Sequence, residues 1–268
     1  MARRTLPLAV LLFVLSVALV ALGSRVAQGA TALVASSTTS TTFTTSTTAG
    51  ASLASAESTT TTSVADENDD GVKRVVIVGD SMVVMAEDQL TATFTANGVE
   101  VTYIAVSGTG ILTDQGERLT QLGQALDALH PDAVIIESCC NYDGTYTLAD
   151  GTAVPTDSEL LWDTWAAQAQ LMVSAARAHD ADVYVVVTPR ALEGAWFSGL
   201  EDRIQHFNET YRSLGVPVID WDLALYPDGT TTGLASLRHA DGLHLTDAGD
   251  ELVAAATWTA VAGSFDDA

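Results

Sequence analysis

Cysteine is nearly absent from this chain: there are two in 268 residues, and they are neighbours, Cys139 and Cys140. That excludes the disulfide framework that staples many small secreted domains. Adjacent Cα atoms lie about 3.8 Å apart across a trans peptide, below the roughly 4.4–6.8 Å usual for a bridge. Two partly buried thiols are therefore expected, in preference to a bond between them. Basic side chains are also scarce, with 11 Lys and Arg against 34 Asp and Glu and a net charge of −23. Such a surface repels nucleic acid and anionic lipid headgroups. No repeat recurs at a solenoid period. No metal-spaced ligand set is visible, so neither a metal nor an organic cofactor is expected.

Long apolar runs are limited to one, from Leu6 to Leu22, behind Arg3 and Arg4 and ahead of Arg25. A basic start followed by such a run reads as an export signal. Ala27-Gln28-Gly29 offers a cleavage site. The run is near the lower limit of roughly 17 residues for spanning a bilayer, so a cleaved signal (residues 1–30) and a retained anchor through residues 6–22 both stay open. Either places the rest of the chain outside the cytoplasm, secreted or held at the outer face of the membrane. Residues 31–70 are mostly Ser and Thr and end in the acidic patch Asp66-Glu67-Asn68-Asp69-Asp70. With few large apolar side chains to offset the entropy of ordering, this stretch is expected to be a disordered stalk. The folded domain is then residues 71–268.

From Val72 onward short β-branched runs alternate with longer amphipathic stretches, the pattern of βαβ units around a parallel sheet. Strands are predicted at 74–78, 100–106, 133–137, 183–188 and 216–219. Helices are predicted at 83–96, 115–129, 158–178, 200–214 and 247–261. Thr156-x-x-Glu159 has the form of a capping box, Thr246 suits an N-cap and Gly98 a helix stop. Runs such as Val75-Val76-Ile77-Val78 and Val185-Val186-Val187 are apolar throughout, so both faces of the sheet should be covered. The expected fold is α/β, a three-layer α/β/α sandwich with a five-stranded parallel sheet.

In an open parallel sheet ligands bind beyond the carboxyl ends of the strands. The residues found there are Gly79-Asp80-Ser81, then Ser107-Gly108-Thr109-Gly110, then Cys139-Cys140-Asn141-Tyr142, and, before the last helix, Asp241-Gly242-Leu243-His244. A serine hydroxyl is a poor nucleophile until an imidazole accepts its proton, and the imidazole needs a carboxylate to fix its tautomer and offset its charge. Ser81, His244 and Asp241 are of the right types for those parts. These four blocks, in this order, resemble the SGNH/GDSL hydrolase family, and Asp-Gly-Leu-His-Leu-Thr at 241–246 is the most specific stretch. The resemblance implies a flavodoxin-like fold and ester hydrolysis. It implies Ser81 as nucleophile, Asp241 and His244 as the rest of a triad, and Ser81, Gly108 and Asn141 as the oxyanion hole. The third block departs from the family's Gly-x-Asn-Asp by carrying Cys139-Cys140-Asn141-Tyr142. Gly110 competes with Gly108, whose Val106-Ser107 context favours it. The Gly-x-Ser-x-Gly elbow of α/β-hydrolases is missing around Ser81.

Of the other candidates, His239 is a competing base, while His130, His179 and His206 read as structural or surface residues. Arg190 and Arg238 could meet a substrate oxygen or pair with carboxylates. Trp196-Phe197 is the best-placed aromatic pair for a sugar ring, Trp221 could line the cleft, and Trp162, Trp165 and Trp258 read as core. Three functions fit this inventory. One is an extracellular esterase or deacetylase acting on a small ester or an acylated cell-surface glycan. Another is an O-acyltransferase using the same acyl-enzyme, and the third is a wall-associated binding module without turnover.

Overall fold

The computed structural model describes residues 71–113, 116–142, 145–230 and 235–266. The expected export segment and stalk, residues 1–70, lie outside the described residues. Among the described residues seven strands and six α-helices appear in the order β1 Arg74–Gly79, α1 Ser81–Ala96, β2 Glu100–Ala105, α2 Glu117–Leu129, β3 Ala133–Ile136, β4 Tyr146–Thr147, β5 Ala153–Val154, α3 Glu159–Arg177, β6 Asp182–Val187, α4 Glu201–Ser213, β7 Val218–Asp220, α5 Trp221–Leu225 and α6 Asp247–Asp266. Short 3-10 turns occupy Trp196–Leu200 and Ala235–Leu237.

The main sheet has five strands in the order β2-β1-β3-β6-β7, every pair parallel. That is the flavodoxin-like order, in which the chain moves outward to β2 and returns across β1 to β3, leaving a crevice at the reversal. The apolar runs explain why the sheet is central: Val75 to Val78, Val134 to Ile136 and Val185 to Val187 are all buried, which only helices on both faces can accomplish. The helices form two sets. α1 packs on α6 and α6 on α5, while α2 packs on α3 and α3 on α4. The expected α/β/α layering and all five parallel strands are present.

Local differences have local causes. The N-cap of α3 is Ser158, whose Oγ accepts the Leu161 N–H at 3.1 Å, whereas the Thr156 hydroxyl of the expected capping box donates to the Tyr142 carbonyl at 2.9 Å. Asn97 is the C-cap of α1, and Gly98 stops the helix as expected: it takes φ 77°, its N–H donates to the Thr95 carbonyl at 3.0 Å and the Val99 N–H to the Phe94 carbonyl at 3.0 Å. Thr246 precedes α6, but its hydroxyl donates to the Ser236 carbonyl at 2.7 Å. The hairpin of β4 and β5 was not visible in the pattern, since strands of two residues carry no alternation.

Helix α1 starts two residues earlier than the apolar period suggests, because Asp80 Oδ1 accepts the Met82 N–H at 3.0 Å and so caps a helix beginning at Ser81. Gly79 makes the tight strand-to-helix turn sterically feasible. A Cβ there would lie 2.2 Å from Val83 Cγ2 and 2.4 Å from Val83 Cβ, and Val83 is itself fully buried. Gly79→Ala is therefore expected to destabilise the domain by about 1–3 kcal/mol, as overpacking does, or about 2–4 °C per kcal/mol for a domain of this size. Thermal melts check this: Gly79→Ala combined with Val83→Ala should recover part of the loss, and an unchanged melting temperature for Gly79→Ala alone would refute the steric account.

Candidate active site

Ser81 sits at the first position of α1, where a backbone N–H has no partner within the helix and faces the positive end of the helix dipole. Its Oγ lies 2.9 Å from His244 Nε2, and His244 Nδ1 lies 2.8 Å from Asp241 Oδ2. The loop that carries the pair is shaped by Asp241 itself, whose Oδ1 accepts the N–H groups of Leu243 at 2.9 Å and His244 at 3.1 Å. Burial alone would raise the Asp241 carboxyl. The hydrogen bond to the His244 ring and the two N–H bonds outweigh it and hold the group below the ordinary carboxylate range. Asp241 thus stays anionic and keeps the imidazole oriented with Nε2 towards Ser81.

Gly242 takes φ 78°, and a Cβ there would come within 2.2 Å of Ala195 Cβ, so the loop closes directly on the segment after β6. Arg238, buried, holds it from behind. It donates to Tyr226 Oη at 2.8 Å, to the Arg190 carbonyl at 2.8 Å and to the Leu243 carbonyl. Arg190 pairs through its guanidinium with both Asp222 carboxylate oxygens. These arginines brace the loops, and neither lines the cavity.

The cavity above Ser81 measures about 310 Å³ and is lined in part by Cys139, Cys140, Asn141, Thr188, Trp196 and His244. Asn141 faces it, but both amide hydrogens are engaged, one with Asp80 Oδ2 at 3.2 Å and one with the Thr109 carbonyl at 2.9 Å. Gly108 occupies the turn after β2 with φ 74° and does not line the cavity. Gly110 is packed against Tyr142, whose hydroxyl would be 2.3 Å from an added Cβ. Of the expected site residues, Ser81, Asn141 and His244 line one cavity, Asp241 is bonded behind His244, and Gly108 stands one residue from the Asn141 contact at Thr109.

The structure corrects the cysteine expectation. Cys139 and Cys140 form a vicinal disulfide with Cα atoms 3.7 Å apart, so there are no free cysteines. His239 is exposed and makes no bond to Ser81, and it supports the loop through its N–H to the His244 carbonyl at 2.9 Å. Trp221 is buried, donating to Thr257 Oγ1 at 2.9 Å, and does not line the cleft. Trp165 is core, while Trp162 is half-buried and stacks on His206 at 4.2 Å.

Three further residues shape the site and escaped sequence reading. Arg118, buried, donates to the carbonyls of Gly79 and Ile104 and to Thr109 Oγ1, tying the ends of β1 and β2 together. Arg203 donates to the Cys140 carbonyl at 3.2 Å while paired with Asp157. Glu137, at the end of β3, lies beneath Asp80. A signal for Arg118 exists in the sequence: Arg118, Leu122 and Leu126 recur at four-residue spacing, which puts an arginine on the buried face of α2.

A family model described as the GDSL-like Lipase/Acylhydrolase family matches residues 77–252. No curated protein matches the sequence. Among solved structures, a GDSL-like lipase from Bacteroides thetaiotaomicron VPI-5482 aligns at 18% identity and a TM-score of 0.52, covering 72% of this chain and 89% of the other. An acetylxylan esterase from Geobacillus stearothermophilus aligns at 17% identity and a TM-score of 0.52, covering 71% and 94%. At these identities the structural likeness speaks for the fold.

Asp250 on α6 gives the stability of the folded domain a pH dependence. It is buried, and its Oδ1 has no hydrogen-bond partner among the described residues. Burial, followed by the Asp247 carboxylate, pushes it up to about 6 against the pull of His239 and His244. An unfolded Asp titrates near about 3.9. The folded state therefore binds more protons between these values, and stability falls as pH rises through that window. Asp250→Asn should melt with the wild type near pH 4 and above it at pH 7 to 8. Equal melting temperatures across that range would contradict the assignment.

Proposed function

The chain belongs to the GDSL-like lipase/acylhydrolase family, and from that premise we propose that it is an exported serine esterase that removes acyl groups from the hydroxyls of a glycan or small ester. The observation that carries this reading is the continuous hydrogen-bonded chain Ser81 Oγ, His244 Nε2, His244 Nδ1, Asp241 Oδ2, with links of 2.9 and 2.8 Å, opening on a cavity.

In this reading Ser81 Oγ attacks the ester carbonyl carbon while His244 Nε2 takes the hydroxyl proton, and Asp241 stabilises the imidazolium. The tetrahedral oxyanion forms beside the N-terminus of α1, where the Ser81 N–H is available. The Asn141 amide is the second proposed donor, with one of its bonds to Asp80 or Thr109 exchanged for the oxyanion, and the Gly108 N–H is a third only after a shift of the turn after β2 towards the cavity. Collapse expels the alcohol, which leaves with the proton from His244. Water then attacks the acyl carbon as its proton passes to His244, and collapse breaks the bond to Ser81 Oγ, which takes that proton back from His244 Nε2 as the acid departs.

Two features favour a carbohydrate as the alcohol. Trp196 stands at the cavity mouth, 85% exposed, on the 3-10 turn beside Phe197, whose ring meets His244 edge-on at 5.9 Å. An exposed indole at a site mouth offers a flat apolar face to the C–H face of a sugar ring. An acetylxylan esterase of the same fold is a structural neighbour. The basic start and apolar run of residues 3–22 support export.

Ser81→Ala should abolish turnover of aryl acetates and labelling by a serine-directed phosphonate. Asp241→Asn should lower kcat by up to about 10⁴-fold, and Asn141→Ala by about 10²–10³-fold. Trp196→Ala should raise KM for acetylated xylo-oligosaccharides by about 2–12-fold, the equivalent of one aromatic contact, and leave an aryl acetate unaffected. Full activity in Ser81→Ala would overturn the reading, and equal loss on both substrates in Trp196→Ala would remove the sugar from it.

A further inference from the structure

Asp80 and Glu137 are both buried, at 2% and 0% exposure, directly beneath the candidate site. The two side chains are joined at the ends of neighbouring strands. The Asp80 N–H donates to Glu137 Oε2 at 3.2 Å, and the Thr188 hydroxyl donates to Glu137 Oε1 at 3.2 Å. Asp80 in turn accepts three N–H groups, from Met82 at 3.0 Å, Cys139 at 2.9 Å and the Asn141 side chain at 3.2 Å. Glu137 thus spans the ends of β1, β3 and β6, and both its direct partner Thr188 and Asn141, reached through Asp80, line the cavity.

We infer that Glu137 is a positioning residue of this site: its carboxyl fixes the Asp80 turn against the end of β6, and Asp80 thereby sets Ser81 and Asn141 relative to each other. The inference rests on the esterase reading, and names a residue that never touches substrate.

Two buried carboxylates in contact cannot both ionise at neutral pH without a cation. Among the described residues no Lys, Arg or His hydrogen-bonds either of them. Asp80, with three N–H donors, is the natural holder of the charge, although burial pushes its carboxyl up against the bonds from Met82 and Cys139. Glu137 has one N–H and one hydroxyl donor, and burial followed by the Asp80 charge pushes it well up. The other groups facing the pair do not relieve this. Tyr211 of α4 is buried and itself pushed well up by burial and by Glu137. β6 offers the uncharged Thr188, and Tyr142 follows β3. His244 reaches the pair only through space, by way of Asp80. Arg118 of α2 binds the neighbouring Gly79 carbonyl. Glu137 is accordingly the member of the pair that holds the proton, able to give it to Asp80 while accepting the Asp80 N–H.

The sign of the linkage follows. An unfolded Glu titrates near about 4.3, while the folded group keeps its proton to higher pH. Wild-type stability therefore falls as pH rises above that value, towards the folded pKa. Glu137→Gln mimics the neutral acid in shape, accepting the Asp80 N–H and donating to its carboxylate, with nothing to ionise. Glu137→Leu keeps apolar volume and removes the link.

The test uses both variants and the wild type in three measurements: kcat and KM on an aryl acetate from pH 5 to 9, thermal melts over the same range, and the side-chain amide resonances of Asn141. Glu137→Gln should keep kcat within about threefold of wild type at pH 7. Its melting temperature should rise relative to wild type as pH increases, and its Asn141 resonances should stay in place. Glu137→Leu should melt no lower than wild type at pH 8, yet lose about 10–100-fold in kcat with little change in KM, as expected when an oxyanion donor is partly misplaced, with the Asn141 resonances shifted. Wild-type kcat in Glu137→Leu would overturn the positioning role. A Gln variant as impaired as the Leu variant, or a melting difference that does not grow with pH, would overturn the neutral-acid assignment. Should Glu137→Leu fail to fold, the pH course of Glu137→Gln still decides. Should the wild type neither hydrolyse esters nor react with the phosphonate, the esterase reading fails alone, because the Asn141 resonances and the melts test Glu137 without turnover.

Discussion

The carboxylate of Asp80 is the point from which the rest of the site is held. It caps α1, which places the Ser81 hydroxyl and N–H at the head of that helix, and it reaches across the crevice to the Cys139 N–H and the Asn141 amide. One buried charge therefore binds the loops after β1 and β3, the two strands between which the chain reverses direction. A charge in that position is tolerated only if its lone pairs are satisfied, and here three N–H donors do so. The same requirement makes the turn rigid, because any movement of Ser81 away from Asn141 would strip a donor from a buried anion.

The opposite wall is built on different physics. The Asp241–His244 loop is fixed by a short Asx-type turn, by the close backbone approach at Gly242, and by Arg238, which gathers Tyr226 and the Arg190 and Leu243 carbonyls. Orientation of the imidazole thus does not depend on the flexible reach of one side chain. The backbone on both sides of His244 is anchored, through its own N–H to Asp241 Oδ1 at 3.1 Å and through the His239 N–H to its carbonyl at 2.9 Å. Apolar packing positions the sheet, and these polar ties convert that coarse placement into hydrogen-bonding distance.

The five strands were legible because a buried parallel sheet needs runs such as Val75–Val78 that no other context favours, and the turn residues after each run named the candidate site. Ser81, Asn141, Asp241 and His244 could be picked out because each lies at a strand end or just before the last helix. The supporting residues were not legible, for a physical reason. Glu137 continues the apolar run of β3, and in a chain with 34 acidic residues one more glutamate carries no mark of burial. Arg203 earns its contact with the Cys140 carbonyl only through the fold. The cysteine pair was misjudged because ordinary disulfide spacing was applied to neighbours. The true N-cap of α3 was missed because Thr156 and Ser158 both suit the role, and only the Tyr142 carbonyl, distant in sequence, draws Thr156 away.

The scarcity of basic residues acquires meaning from where they stand. Eight of the 11 Lys and Arg follow residue 70, and four of these eight, Arg118, Arg190, Arg203 and Arg238, bind carbonyls or carboxylates of the loops around the crevice. Half of these cations are thus committed to the scaffold around the candidate site, and among the described residues no Lys or Arg lines the cavity. A strongly acidic exterior lowers the local concentration of anions, and a cleft without a free cation gives them no compensating contact. An uncharged ester meets neither obstacle. Its carbonyl needs only the hydroxyl, the imidazole and fixed N–H donors, and those are the groups that the buried arginines and the Asp80 carboxylate keep in place.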